Sequence, residues 1–226
     1  MKITKRKVLI GAFVLMGILG AMLLTTQSAY LAPLFVQGET ESYRYTAQGE
    51  RNNLYITVSV NFDDAATLQK YRRVNQRRGE QLSKQNKKDI PLLLTFAHPL
   101  PLAQARELVR QTDLDVSSYM MVGHSSLSGE RGTYINFETL EQDVELARNV
   151  DSTGNGEQLL LEGVMVIQAR LRDSSALGKL LRDERIYLVD TTEFEVRELL
   201  SQRHAAMIKG KAIDVTVPSP FWNLDW

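Results

Sequence analysis

Residues 163–190 read GVMVIQARLRDSSALGKLLRDERIYLVD, and the fold turns on how this stretch is parsed. The apolar run Leu159–Leu171 predicts a strand, Asp173–Asp183 a helix and Arg185–Asp190 a second strand. An earlier stretch repeats the pattern. With Thr95 set over Ile167, a shift of 72 residues, Ala97 meets Ala169, Leu108 meets Leu180, Val109 meets Leu181, Leu114 meets Ile186 and Val116 meets Leu188. Pro91–His98 is then a strand, Pro99-Leu-Pro-Leu opens a helix with Pro101 in its first turn, and Val116–Val122 is the returning strand. Two strand-helix-strand units of this kind predict an α+β, ferredoxin-like sandwich: one antiparallel sheet with both helices on one face. Leu108, Leu180 and Leu181 should be buried beneath it.

The flanking sequence adds a strand and further helices. Leu54, Ile56, Val58, Val60 and Phe62 alternate strictly with polar residues, the period of a half-buried strand. Asp63 or Asp64 is placed to cap a helix whose apolar stripe is Ala65, Leu68, Tyr71 and Val74. Gly123–Gly132 reads as a loop, Thr133–Phe137 as a short strand and Glu138–Val150 as a helix. Thr191–His204 follows as the last helix and Ile213–Val217 as an edge strand. Residues 35–53 are polar and turn-rich and read as a stalk. The domain is thus expected over 54–217, with an aromatic tail at 218–226.

Val8–Leu24 contains no polar side chain. At about 1.5 Å per residue it spans roughly 26 Å, and residues 8–34 together suffice for a transmembrane anchor. Lys2, Lys5, Arg6 and Lys7 precede it, so residues 1–7 are expected to be cytoplasmic and the domain extracytoplasmic. The best cleavage frame is Thr26 with Ser28, and Gln27 spoils the one ending at Ala29; that weakness favours an uncleaved anchor over a signal peptide. The chain has 27 bases and 27 acids; without the four N-terminal bases the remainder holds 23 bases against 27 acids, which argues against nucleic acid as a partner. Cysteine is absent, which excludes disulfides and thiol chemistry. These features place the chain in a bacterial cell envelope, single-pass.

Gly163–Ala169 followed by Ala176–Asp190 resembles the C-terminal half of the propeptide and inhibitor domains that accompany subtilisin-type proteases. That resemblance implies the ferredoxin-like fold. The layout of basic tail, anchor and outer domain is similar to that of bacterial membrane-anchored sigma-factor regulators.

Chemistry is sparse. His98, His124 and His204 are widely spaced and form no ligand pair. Gly123-His-Ser-Ser-Leu-Ser-Gly129 approaches a serine-hydrolase turn, but Leu127 stands where the second glycine of that turn belongs. Asp151, Thr153, Asn155 and Glu162 fall at positions 1, 3, 5 and 12 of a calcium loop, with Gly156 at its tight turn. Lys70, Arg72, Arg73, Arg77, Arg78, Lys84, Lys87 and Lys88 face Glu80 alone within their segment, a pattern suited to an anionic lipid or envelope polymer. Phe221, Trp222 and Trp226 could dock on an envelope protein. The expected function is a non-catalytic, membrane-anchored binding, sensing or scaffolding module without a cofactor. The alternatives are a serine-type hydrolase built on His124 and Ser125, or a calcium-stabilised structural domain.

Overall fold

The computed structural model describes residues 34–50, 52–136 and 159–224. Strands β1 (Leu34–Glu39), β2 (Arg44–Gly49) and β3 (Asn53–Ser59) form an antiparallel meander. β9 (Ala212–Thr216) then pairs parallel with β3 and completes a four-stranded sheet. Leu54, Ile56 and Val58 are buried while Tyr55, Thr57 and Ser59 are exposed, as the alternation requires. The stalk expected at 35–53 is therefore a correction, because Tyr43, Tyr45 and Ala47 are core residues. Their polar neighbours Arg44 and Gln48 supply the solvent half of a one-sided antiparallel sheet, and that half masked the pattern. Thr40 closes the β1–β2 turn, its N–H donating to Tyr43 O at 2.9 Å.

The second sheet comprises β4 (Lys88–Leu100), β5 (Leu114–Ser125), β6 (Arg131–Asn136), β7 (Leu159–Asp173) and β8 (Ile186–Asp190). Its order is β6-β5-β7-β4-β8, and every neighbouring pair is antiparallel. Helix α2 (Leu102–Thr112) carries the chain from β4 to β5 across β7. A 3-10 turn (Ser174–Ala176) and helix α3 (Leu177–Leu180) carry it from β7 to β8 across β4. Ala105, Leu108, Leu177 and Leu180 share one core cluster with Leu92, Leu94, Phe96 and Ile167. Both connections thus cover the same face, as the two units predict.

Three details differ from the sequence reading. The helix expected at 173–183 is reduced to α3 and its preceding turn. Leu181 is only half-buried, at the margin of the core cluster and close to Gly79. The strands of the two units are out of phase in the repeat alignment, because Leu94, not Thr95, shares the core face with Ile167, its cross-strand partner. Thr95 therefore points away from the core face and meets Ser219 Oγ at 3.1 Å. A one-residue slip exchanges the faces of a strand, whereas Leu108 and Leu180 keep equivalent places in their helices.

Helix α1 (Ala65–Leu82) is capped by Asp64, whose carboxylate accepts from Thr67 N at 2.9 Å and Ala66 N at 3.4 Å. Its residues Leu68, Tyr71 and Val74 are buried, whereas Ala65 is exposed. Helix α4 (Thr192–Arg203) follows β8 directly, and the short α5 (Ala205–Ile208) leads to β9. Val196 and Leu200 join Tyr71 and Leu188 beneath the first sheet, against Leu54, Ile56 and Val58. The chain end covers the opposite face of the second sheet, where Phe221 packs with Met165 and Leu93. The folded unit thus includes β1 and Phe221, so it is wider than 54–217.

No helix among the described residues is long and apolar enough to cross a membrane. The anchor expected at 8–34 lies outside those residues except for Leu34, which opens β1. The helix expected at Glu138–Val150 also lies outside them.

Leu108→Ala and Leu180→Ala should each lower unfolding free energy by about 2–5 kcal/mol in denaturant titrations, and Leu181→Ala by clearly less. A Cβ at Gly163 would lie 2.6 Å from Leu100 O, so Gly163→Ala should cost about 1–3 kcal/mol through overpacking.

Candidate functional site

The basic segment does not act as one patch. Arg78 Nη1 lies 2.6 Å from Glu195 Oε2 at a partly buried position, close in charge though not aligned as a hydrogen bond. Lys87 Nζ is 2.7 Å from Glu198 Oε1. Arg77 pairs with Glu41, and the Arg72 guanidinium sits 4.5 Å over the Tyr187 ring. Lys70, Arg73, Lys84 and Lys88 are exposed. Lys70, Arg73 and Arg77 share one face of α1 by three- and four-residue spacing, and Lys84 lies in the turn beyond it. Neutralisation comes from Glu41, Glu195 and Glu198, on β-turn and helix positions far away in sequence. The acidic run at 138–151, which could have met the same charges, lies outside the described residues.

His124 and Glu162 are brought together on β5 and β7, with Nδ1 and Oε1 2.8 Å apart. A carboxylate in this position can orient an imidazole for proton transfer. Ser125, however, is the next residue along an extended strand and so faces the other way. Its Oγ accepts from Leu127 N at 3.2 Å and Ser128 N at 3.0 Å, holding the β5–β6 turn. His98 is exposed on β4, and His204 ends α4, its N–H donating to Leu200 O at 2.8 Å.

Of the calcium-loop residues, Asp151, Thr153 and Asn155 lie outside the described residues; Glu162 is on β7, engaged by His124. Among the described residues no group of three His, Asp or Glu side chains converges as a metal site. Phe221, expected as a docking residue, is buried against its own sheet. Trp222 is 52% exposed, and Trp226 lies outside the described residues.

The most elaborate constellation was not anticipated. Asp190, at the end of β8, is 1% exposed. Its Oδ2 accepts from Tyr71 Oη at 2.6 Å, and its Oδ1 accepts from Thr192 N at 2.8 Å. Tyr71 Oη also lies 2.8 Å from Thr192 Oγ1. Asn75 Oδ1 accepts from Thr191 N at 3.1 Å. Beside this knot, Tyr43 Oη donates to Glu195 Oε2 at 2.7 Å, next to Arg78. Burial raises the Asp190 carboxyl, against the opposing pull of its Tyr71 and Thr192 hydrogen bonds. Burial likewise raises Glu195, and it raises the Tyr71 and Tyr43 phenols well above their ordinary value. The only sequence signal was Asp190 preceding two threonines where a strand passes into a helix, which is a capping arrangement.

A cleft opens beside this knot, between β9 and the outer face of the second sheet. One lobe, about 240 Å³, is lined by Leu92, Leu93, Gln168, Asp190, Glu193 and residues 214–217. The other, about 350 Å³, reaches Ser117, Arg170 and Arg197. Glu193 and Arg197 form an ion pair at 2.8 Å along one wall.

The sequence matches no protein-family model, no curated protein and no solved structure.

Tyr71→Phe leaves the Asp190 carboxylate short of a donor in a dry site and should cost about 1–3 kcal/mol. A raised native pKa means the folded state holds that proton more tightly than the unfolded chain does. The Asp190 contribution therefore turns against the fold as pH climbs from about 4 to the native value, then stays constant. Asp190→Asn removes it while keeping an acceptor for Thr192 N and a donor for Tyr71. Urea titrations should show the Asn variant gaining on the wild type over that rise in pH. A difference that ignores pH would contradict this account.

Proposed function

We propose that this chain is a non-catalytic, membrane-anchored binding module of a bacterial envelope, whose domain rests on an anionic surface through α1. We read its second sheet as a ferredoxin-like unit, β4-α2-β5 and β7-α3-β8, extended by β6. The split order of those strands supports that reading, and the first sheet is then an addition built onto it.

The observation that carries the functional proposal is the exposed basic face of Lys70, Arg73 and Lys84. These cations have no ion pair with a described residue, whereas Arg78 and Lys87 are spent internally. Geometry supports a short tether. The anchor expected at 8–34 leads directly into β1, and were it to end at Leu24 the nine residues 25–33 would still reach at most about 30 Å. A domain held that close meets the surface at high effective concentration, so a few weak contacts suffice. Each base near an anionic surface contributes about 1 kcal/mol. The hydrolase alternative draws support from the His124–Glu162 pair, but Ser125 is turned away from His124 and occupied by turn amides.

The test is to place the full chain in nanodiscs of neutral or anionic lipid and follow acylation of its lysines by mass spectrometry. Lys70 and Lys84 should be protected severalfold in anionic discs at low salt, and released above about 0.5 M salt, where the Debye length falls toward 3 Å. Lys87, held by Glu198, should change little. Equal labelling of Lys70 and Lys84 in both discs would refute the proposal.

A further inference from the structure

The cleft beside β9 calls for a different chemistry, independent of the basic face. β9 ends the first sheet, and among the described residues no strand pairs with its outer edge. In a parallel ladder, successive residues alternate between turning their peptide groups to the neighbour and turning them away. Ala212 N–H donates to Asn52 O at 2.9 Å, so Ala212, Asp214 and Thr216 face β3. Ile213 and Val215 consequently present theirs to the open edge. The Arg197 guanidinium agrees with this assignment: its Nη2 donates to Ile213 O at 2.9 Å and closes one end. Among the described residues, no hydrogen bond reaches the outward N–H and C=O of Val215. Native sheets usually cover or blunt such an edge. Here it opens into a cleft.

The lining sets the character of an occupant. Across from the edge stand Leu93 and Gln168. Asp214 is exposed on the solvent face of the sheet, opposite Tyr55. The acidic residues among those lining the smaller lobe are Asp190, Glu193 and Asp214, and no Lys or Arg is among them. Asp190 is satisfied by Tyr71 and Thr192, and Glu193 by Arg197. Asp214 forms no ion pair with a described residue.

We propose that the cleft receives an extended polypeptide segment, which adds to β9 as a fifth strand and sets a Lys or Arg beside Asp214. Strand addition supplies affinity through the Val215 peptide group, and the side-chain pockets supply selectivity. Alternate residues of the added strand lie on opposite faces. One set falls beside Asp214, where opposite charge is favoured across strands. The other turns inward toward Val215 and Leu93, where an apolar residue fits. The segment recognised therefore alternates basic and apolar residues.

The probe is a fluorescent six-residue peptide alternating Lys and Val, titrated by anisotropy into the detergent-solubilised full chain. Saturable binding is expected, together with slower hydrogen exchange at the Val215 amide. Asp214→Lys, an exposed change that leaves the core alone, should weaken binding at least tenfold. A Glu-Val peptide, and a Lys-Val peptide N-methylated at alternate amides, should each lose comparable affinity. The proposal is overturned by absence of binding at millimolar peptide, by Asp214→Lys having no effect, or by the N-methylated peptide binding equally well. Concentration-dependent dimers that exclude the peptide would also overturn it, by assigning the edge to a second copy of the chain.

Discussion

The hydrogen bond from Tyr71 to Asp190 holds together parts that sequence keeps far apart. Tyr71 belongs to α1, Asp190 closes β8, and Thr192, which shares the contact, begins α4. α1 and α4 lie beneath the first sheet, while β8 is an edge of the second. The two sheets are therefore joined through one polar junction as well as through apolar contact. A buried carboxyl group is costly to desolvate, and the cost is offset here by hydrogen bonds donated by Tyr71 Oη and Thr192 N. Such an arrangement selects one relative placement of α1, β8 and α4, where apolar packing alone would tolerate several.

Around that junction the two sheets divide the work. The second sheet is covered on one face by α2 and α3 and on the other by the chain end, so its interior is dry and its alternation is hard to read. The first sheet is one-sided, leaving Phe35 and Tyr55 exposed on its outer face. Four of the eight cations between Lys70 and Lys88 are absorbed in holding these layers together. Arg78 and Lys87 bring charge to Glu195 and Glu198 on α4, and Arg72 covers Tyr187 on β8. What remains for an outside partner is a narrower face than the count of basic residues implies.

The repeated strand-helix-strand pattern was legible because it rests on apolar spacing, which tertiary structure seldom overrides. Leu108 and Leu180 fell where the period placed them. β1 and β2 were missed because Gly38, Thr40, Gly49 and a run of polar residues look like turn chemistry, and of the side chains described in the two strands only Tyr45 and Ala47 are buried. Thr95 and Ile167, aligned in the repeat, lie on opposite faces. Both strands are apolar on both faces there, with Leu93 beside Leu94 and Val166 beside Ile167, so no polar alternation marks the core face. The Tyr71–Asp190 junction was out of reach in principle. Its partners are separated by 119 positions, and a single Asp before two threonines names no Tyr. The cleft beside β9 is likewise a property of two sheets meeting, which no local pattern encodes.

The pairing of β3 with β9 also has a consequence in time. Asn53 finds its neighbour at Ala212, near the other end of the chain. At about 5–20 residues per second, a ribosome that has just released β3 needs roughly 8–30 s to supply β9. Throughout that interval the meander of β1, β2 and β3 has one hydrogen-bonding edge bare, and its core residues lack α4. Such long-range closure makes folding slow relative to domains with local contacts. During synthesis the unfinished sheet would need to be shielded from other chains, and Ala212–Thr216 decide whether it is ever closed.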